Sequence, residues 1–103
     1  MSGVKAQAVR AHWTFLTNHA HVLIALARDP SARVRDIAES VAITERAVQN
    51  ILADLEEAGV VTRTREGRRS HYAVERSSPL RHPNEAGGTV RDLLALTKRS
   101  RKA

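Results

Sequence analysis

The 103 residues suffice for one domain and are too few for two. Hydrophobic residues make up 42%, which excludes wholesale disorder, while aromatics at 3% leave the core to Leu, Ile, Val and Ala. A formal charge of +6 points to a polyanionic partner, nucleic acid ahead of an acidic membrane; the lack of cysteine excludes disulfides, thiolate metal sites and a cysteine nucleophile.

The opening MSGVKAQAVRAHW lacks the pattern of a secretory signal, and no apolar stretch approaches the ~20 residues that span a bilayer, so the expected compartment is the cytoplasm. Residues 1–17 read as a frayed or partly helical arm. The first core helix is expected over roughly 18–29, from the helical spacing of Val22, Leu23, Leu26 and Ala27. Thr17 or Asn18 caps its start, and Pro30 ends it. ARV around Val34 reads as a minimal extended piece, and RDIAESVA as a helix with Ile37, Ala38 and Val41 on one face. The strongest helical pattern is TERAVQNILADLEEAG: Thr44 suits the N-cap, Gly59 suits C′, and Val48, Ile51, Leu52 and Leu55 form the buried stripe.

Two strand candidates follow, VVTRTR and SHYAV, joined by a charged turn at Glu66-Gly67-Arg68. Residues 77–88, with Pro79, Pro83, Gly87 and Gly88, predict an irregular connector. The last segment, 89–103, predicts a helix with Val90, Leu93, Leu94 and Thr97 along one stripe, then a basic tail.

Ile37, Ala38, Val41, Ile43, Val48 and Ile51 carry the spacing that lets two helices cross over a short turn. With those side chains buried, Thr44, Glu45, Arg46, Gln49 and Asn50 are left on the exposed face. This stretch resembles the helix-turn-helix of bacterial DNA-binding proteins, with Ala42 standing where the general pattern prefers glycine. Directly after it, Arg63, Arg65, Arg68 and Arg69 against Glu66 leave +3 within seven residues, half the charge of the chain.

A helix-turn-helix followed at once by such a hairpin resembles the winged-helix domain of the MarR and ArsR families of transcriptional regulators, over about residues 18–76. The resemblance implies a mainly α fold: three core helices, a two- or three-stranded wing and extra terminal helices. It also implies a sequence-specific regulator of double-stranded DNA, with residues 44–58 in the major groove and the wing, 62–74, on backbone or minor groove. Arginine suits that wing because its planar fork holds phosphate and enters narrow grooves. Within the frame, Gln49 and Asn50 suit an adenine edge and Arg46 a guanine, while Thr44 and nearby backbone amides suit phosphate. Glu45 either accepts from a cytosine amino group or pairs with Arg46 and orients it. Arg35, ahead of the first helix of the pair, is a further phosphate candidate, and Ser70 and His71 are candidates at the base of the wing.

Trp13, Phe15 and Leu16 before the core, and Val90, Leu93 and Leu94 after the wing, lie outside a minimal winged helix. They are expected to pack together and against a second copy in a two-fold homodimer, or else to complete the monomer core. The five histidines show no ligand spacing, since His19 and His21 sit two apart and cannot share a helix face, so neither metal nor other cofactor is expected. No glycine-rich phosphate loop or nucleophile–base arrangement suggests an enzyme. Two rival roles remain, a winged helix that docks a protein and a nonspecific nucleic-acid binder; operator and effector stay open.

Overall fold

The computed structural model describes residues 12–97, so most of the predicted arm and the basic tail lie outside the described residues. Three helices form the core: α1 (Asn18–Arg28), α2 (Val34–Val41) and α3 (Glu45–Glu57). The hairpin β1 (Val61–Glu66) and β2 (Arg69–Val74) follows, then a 3₁₀ turn (Pro83–Glu85) and α4 (Val90–Leu96). α1 packs on α2, α3 and β2, and α3 packs on α2 and β1. The inner side chains, led by Val22, Leu26, Ile37, Val48 and Val61, close one aliphatic core, to which Tyr72 adds its ring.

Local chemistry accounts for the helix ends. Of the two cap candidates for α1, Thr17 takes the role, its hydroxyl accepting from the Ala20 amide at 3.2 Å. The helix stops at Arg28 because Asp29, the residue before Pro30, is driven into an extended conformation. Thr44 caps α3 by accepting from the Ala47 amide at 3.0 Å. At the far end Gly59, with φ of 78°, lets the Val60 amide reach the Leu55 carbonyl and the Gly59 amide reach Glu56. This left-handed exit turns the chain straight into β1 while Val60 and Leu55 stay buried.

The extended piece expected around Val34 does not form; Val34 opens α2 instead. The strand-like contact falls earlier, where the Tyr72 amide donates to the Pro30 carbonyl at 2.9 Å. A single such bond does not make a third strand, so the wing is two-stranded. Its register runs from Val61 opposite Val74 to Glu66 opposite Arg69. Gly67 alone of the two turn residues has positive φ, as a type II′ turn requires.

The connector is irregular yet well bonded. Pro79 bridges Thr89, the Leu80 amide donates to the Gly88 carbonyl at 3.0 Å, and His82 Nδ1 caps the 3₁₀ turn by accepting from the Asn84 amide. Thr89 and Asp92 then form a reciprocal cap at the start of α4.

Between α2 and α3, Ala42 sits at φ 67° and ψ 47°, a left-handed conformation that costs a residue with Cβ about 1–2 kcal/mol. Its amide and that of Ile43 both donate to the Ala38 carbonyl, so the tight turn is over-determined by its neighbours. Replacing Ala42 by Gly removes the Cβ strain and loses part of the gain to unfolded-chain entropy. The expected net is about 0.5–1 kcal/mol of added stability, read as a rise of roughly 2–8 °C in the thermal midpoint. A lower midpoint would show that the turn carries no such strain.

Candidate nucleic-acid interface

Burying Val48, Ile51, Leu52 and Leu55 determines which way the rest of α3 faces. At about 100° per residue, Glu45, Gln49, Ala53, Arg46 and Asn50 fall in that order across an arc of roughly 140° on the opposite side. All five are exposed. Ala53 sits mid-arc, its small side chain allowing close approach. The amides of Glu45 and Arg46, in the first turn, have no acceptor within the helix and face outward past the Thr44 cap.

Glu45 and Arg46 form no ion pair; adjacent positions on a helix diverge by that same 100°. A polar contact of α3 lies elsewhere, a hydrogen bond between His19 Nε2 and Asp54 Oδ2 at 2.8 Å that joins α1 to the far end of α3. Arg35 stands exposed in the first turn of α2, inside the helix and not ahead of it. Arg33, at the cap position of the same helix, is also exposed. The sequence reading missed Arg33; the one signal that could have found it is the Arg-Val-Arg spacing of residues 33–35.

In the wing, Arg63, Arg65 and Arg68 are exposed and make no side-chain hydrogen bond or ion pair among the described residues. The other candidates there turn inward. Arg69 donates from Nη2 to the Ser31 carbonyl at 2.6 Å, and His71 Nδ1 shares a hydrogen bond of 3.1 Å with the Ser31 hydroxyl. Ser70 and His71 are half-buried. Arg69 and His71 therefore take part in the contact between β2 and the turn after α1, while Ser70 pairs with Arg65 in the sheet. Ser31 itself gave no signal in the pattern, because its partners lie about forty residues away in the chain.

The terminal apolar residues divide in two. Val90 and Leu94 are buried in the monomer core and Leu93 and Leu16 pack half-buried against it. Trp13 and Phe15 are 66% and 90% exposed, edge to face with ring centroids 4.9 Å apart, and Leu96 is 70% exposed. The Arg28 guanidinium ties the end of α4 to α1 through the Thr97 carbonyl at 3.0 Å. Among the described residues no helix is long and apolar enough to cross a membrane, and no three metal-ligating side chains gather.

Two crossed helices, an exposed polar arc on the second and an arginine-bearing hairpin define a winged helix-turn-helix. A MarR-family profile matches residues 14–70, more than half of the chain, and the chain belongs to the MarR family. The family is one of transcriptional regulators and not of enzymes. No curated protein matches the sequence. Among solved structures the chain is similar to MepR, a transcription regulator of the Staphylococcus aureus multidrug efflux pump MepA, at 19% identity and a TM-score of 0.50, over 93% of this chain and 64% of that one. It is also similar to the PcaV transcriptional regulator of Streptomyces coelicolor, solved with its natural ligand (23% identity, TM-score 0.48, 69% of this chain and 52% of that one). A third is the zinc-responsive MarR family member ZitR of Lactococcus lactis (19%, 0.49, 71% and 59%). The chain thus spans between about half and two thirds of the length of these proteins.

Since Arg65 and Arg68 support no contact within the domain, Arg65→Ala and Arg68→Ala should each leave the thermal midpoint within about 3 °C of the parent. A larger fall on calorimetry would mean that these side chains hold the fold and are not free for a ligand.

Proposed function

We propose that the chain is a cytoplasmic, sequence-specific regulator of transcription that binds double-stranded DNA. The observation that carries this reading is the pairing of an outward polar arc on α3 with unpartnered wing arginines. Gln49 and Asn50 offer the donor–acceptor pair that matches an adenine edge in the major groove, and Arg46 the fork that matches guanine. Glu45, unpaired with Arg46, is the acceptor for a cytosine amino group. Thr44 and the first amides of α3 take a phosphate, as do Arg33 and Arg35. Arg63, Arg65 and Arg68 grip the flanking backbone or minor groove.

A homodimer completes the proposal. Among the described residues the exposed large hydrophobics are Trp13, Phe15 and Leu96, and all lie on segments flanking the winged unit, where a second copy can cover them. A two-fold pair would space the two α3 helices by about 34 Å, one turn of the duplex.

Salt titration with a genomic-fragment duplex tests the reading. With about six phosphates neutralised, affinity should fall by roughly 10³ between 50 and 200 mM salt. Gln49→Ala should narrow the gap between selected and random duplexes, whereas Arg68→Ala should weaken both alike. Salt-independent binding would point instead to a protein-docking module. Light scattering at micromolar concentration should give the mass of two chains; a monomer mass would remove the dimer.

A further inference from the structure

The wing is anchored from outside its own sheet. After α1 the chain makes a compact turn in which Asp29 Oδ1 accepts from the Ser31 amide at 3.2 Å and the Asp29 carbonyl accepts from Ala32 at 3.0 Å. That turn lies along β2 and holds it at three residues, Tyr72, His71 and Arg69. The Pro30 carbonyl accepts from the Tyr72 amide at 2.9 Å, the Ser31 hydroxyl meets His71, and the Ser31 carbonyl accepts from Arg69. The last of these reaches the residue next to the hairpin tip.

An isolated two-stranded ribbon is marginal and free to twist and swing. Here only Val61, Tyr72 and the half-buried Val74 tie the hairpin's root to the aliphatic core, and every β1 residue beyond Val61 is exposed. Nothing apolar fixes the direction of the outer half, residues 64–70. The Ser31 contacts are the restraint that does, and they act on the strand that carries the tip. Arg69, for its part, is partly occupied: a guanidinium committed to a carbonyl at that distance is held along the domain and away from a partner beyond the tip.

We propose that Ser31 is the positioning residue of the wing. Acting through Arg69 and His71, it aims Arg65 and Arg68 at the nucleic acid, and Arg69 serves as a latch to Ser31 with no phosphate of its own. This rests on the DNA-binding reading above. It divides the four wing arginines into three ligands and one strut, although composition makes them equivalent.

Two measurements on the full chain decide it. In the salt titration, each arginine that neutralises a phosphate contributes about 0.9 to the slope of log affinity against log salt, so Arg68→Ala should flatten the line by about that amount. Arg69→Ala and Ser31→Ala should instead shift the line downward, roughly three- to tenfold, with the slope unchanged. Because they loosen one assembly, the double variant should lose less than the product of the single losses. Ser31→Ala removes only the hydroxyl that meets His71 and keeps the backbone carbonyl that Arg69 uses, so its loss should be the smaller of the two, and Ser31→Thr, which keeps the hydroxyl, should retain parental binding. Independently of DNA, amide hydrogen exchange in Ser31→Ala should quicken at residues 64–72 and stay unchanged in α1 and α3. If Arg69→Ala flattens the slope as Arg68→Ala does, Arg69 is a phosphate ligand and the latch is wrong. Parental affinity and exchange in both Ser31→Ala and Arg69→Ala would likewise overturn it. If the parent shows no salt-dependent DNA binding, the proposed function fails, while the exchange result still decides whether Ser31 orders the wing.

Discussion

Val48, Ile51, Leu52 and Leu55 must all face the interior, and that requirement orients everything else on α3. A helix has one rotation about its axis to give. Once the apolar stripe is seated against α1, α2 and β1, the positions of Glu45, Arg46, Gln49 and Asn50 are no longer free. The same burial sets the exit of the chain: Leu55 and Val60 close over the left-handed Gly59, and β1 departs from the packed end of the helix. The helix that presents the polar arc therefore also places the root of the wing. A core substitution that rotated α3 would shift both surfaces at once, which explains why so small a domain holds two separated surface features in a fixed relation.

Features that depend on neighbours in the chain were legible in the sequence, and those that depend on distant partners were not. Thr44, Gly59 and Gly67 act through bonds to residues within five positions, so their types at those spacings announced a cap, an exit and a hairpin turn. The stripes of α1 and α3 follow from periodicity alone. Val34 misled because a β-branched residue before charged ones looks extended, yet its packing against the aliphatic core goes with a place as the first residue of α2. In the wing, counting arginines gave the charge correctly but not its disposition. Arg69 and His71 find Ser31 across thirty-eight and forty residues, a pairing that no local pattern encodes. The same limit applies to Val90 and Leu94: a terminal apolar stripe reads alike whether it meets a second copy or its own core, and here both residues are in the core.

The charge on α3 presents an apparent conflict with an anionic partner, since Glu45, Asp54, Glu56 and Glu57 outweigh Arg46. Distance resolves most of it. Glu56 and Glu57 lie ten and eleven residues beyond Arg46, about 15 Å along the axis at 1.5 Å per residue. That exceeds the screening length of about 8 Å at physiological ionic strength, so carboxylates in solvent at that end have little effect on a phosphate at the other. Asp54 is closer but is engaged by His19. Carboxylates at a helix C-terminus also oppose the helix dipole, and no basic residue in the last turn offsets them. The acidic end thus carries a small cost in stability. Its consequence for approach is orientational: with arginines massed on the hairpin and carboxylates gathered at the end of α3, the long-range field favours the encounter in which the wing leads. Of these acidic side chains only Glu45 lies on the exposed arc of α3, and in the proposed complex a carboxylate there would repel phosphate while accepting from a cytosine amino group. On that reading, charge that weakens binding to the backbone at one position would sharpen the choice among bases, which is the division of labour that a sequence-reading helix needs.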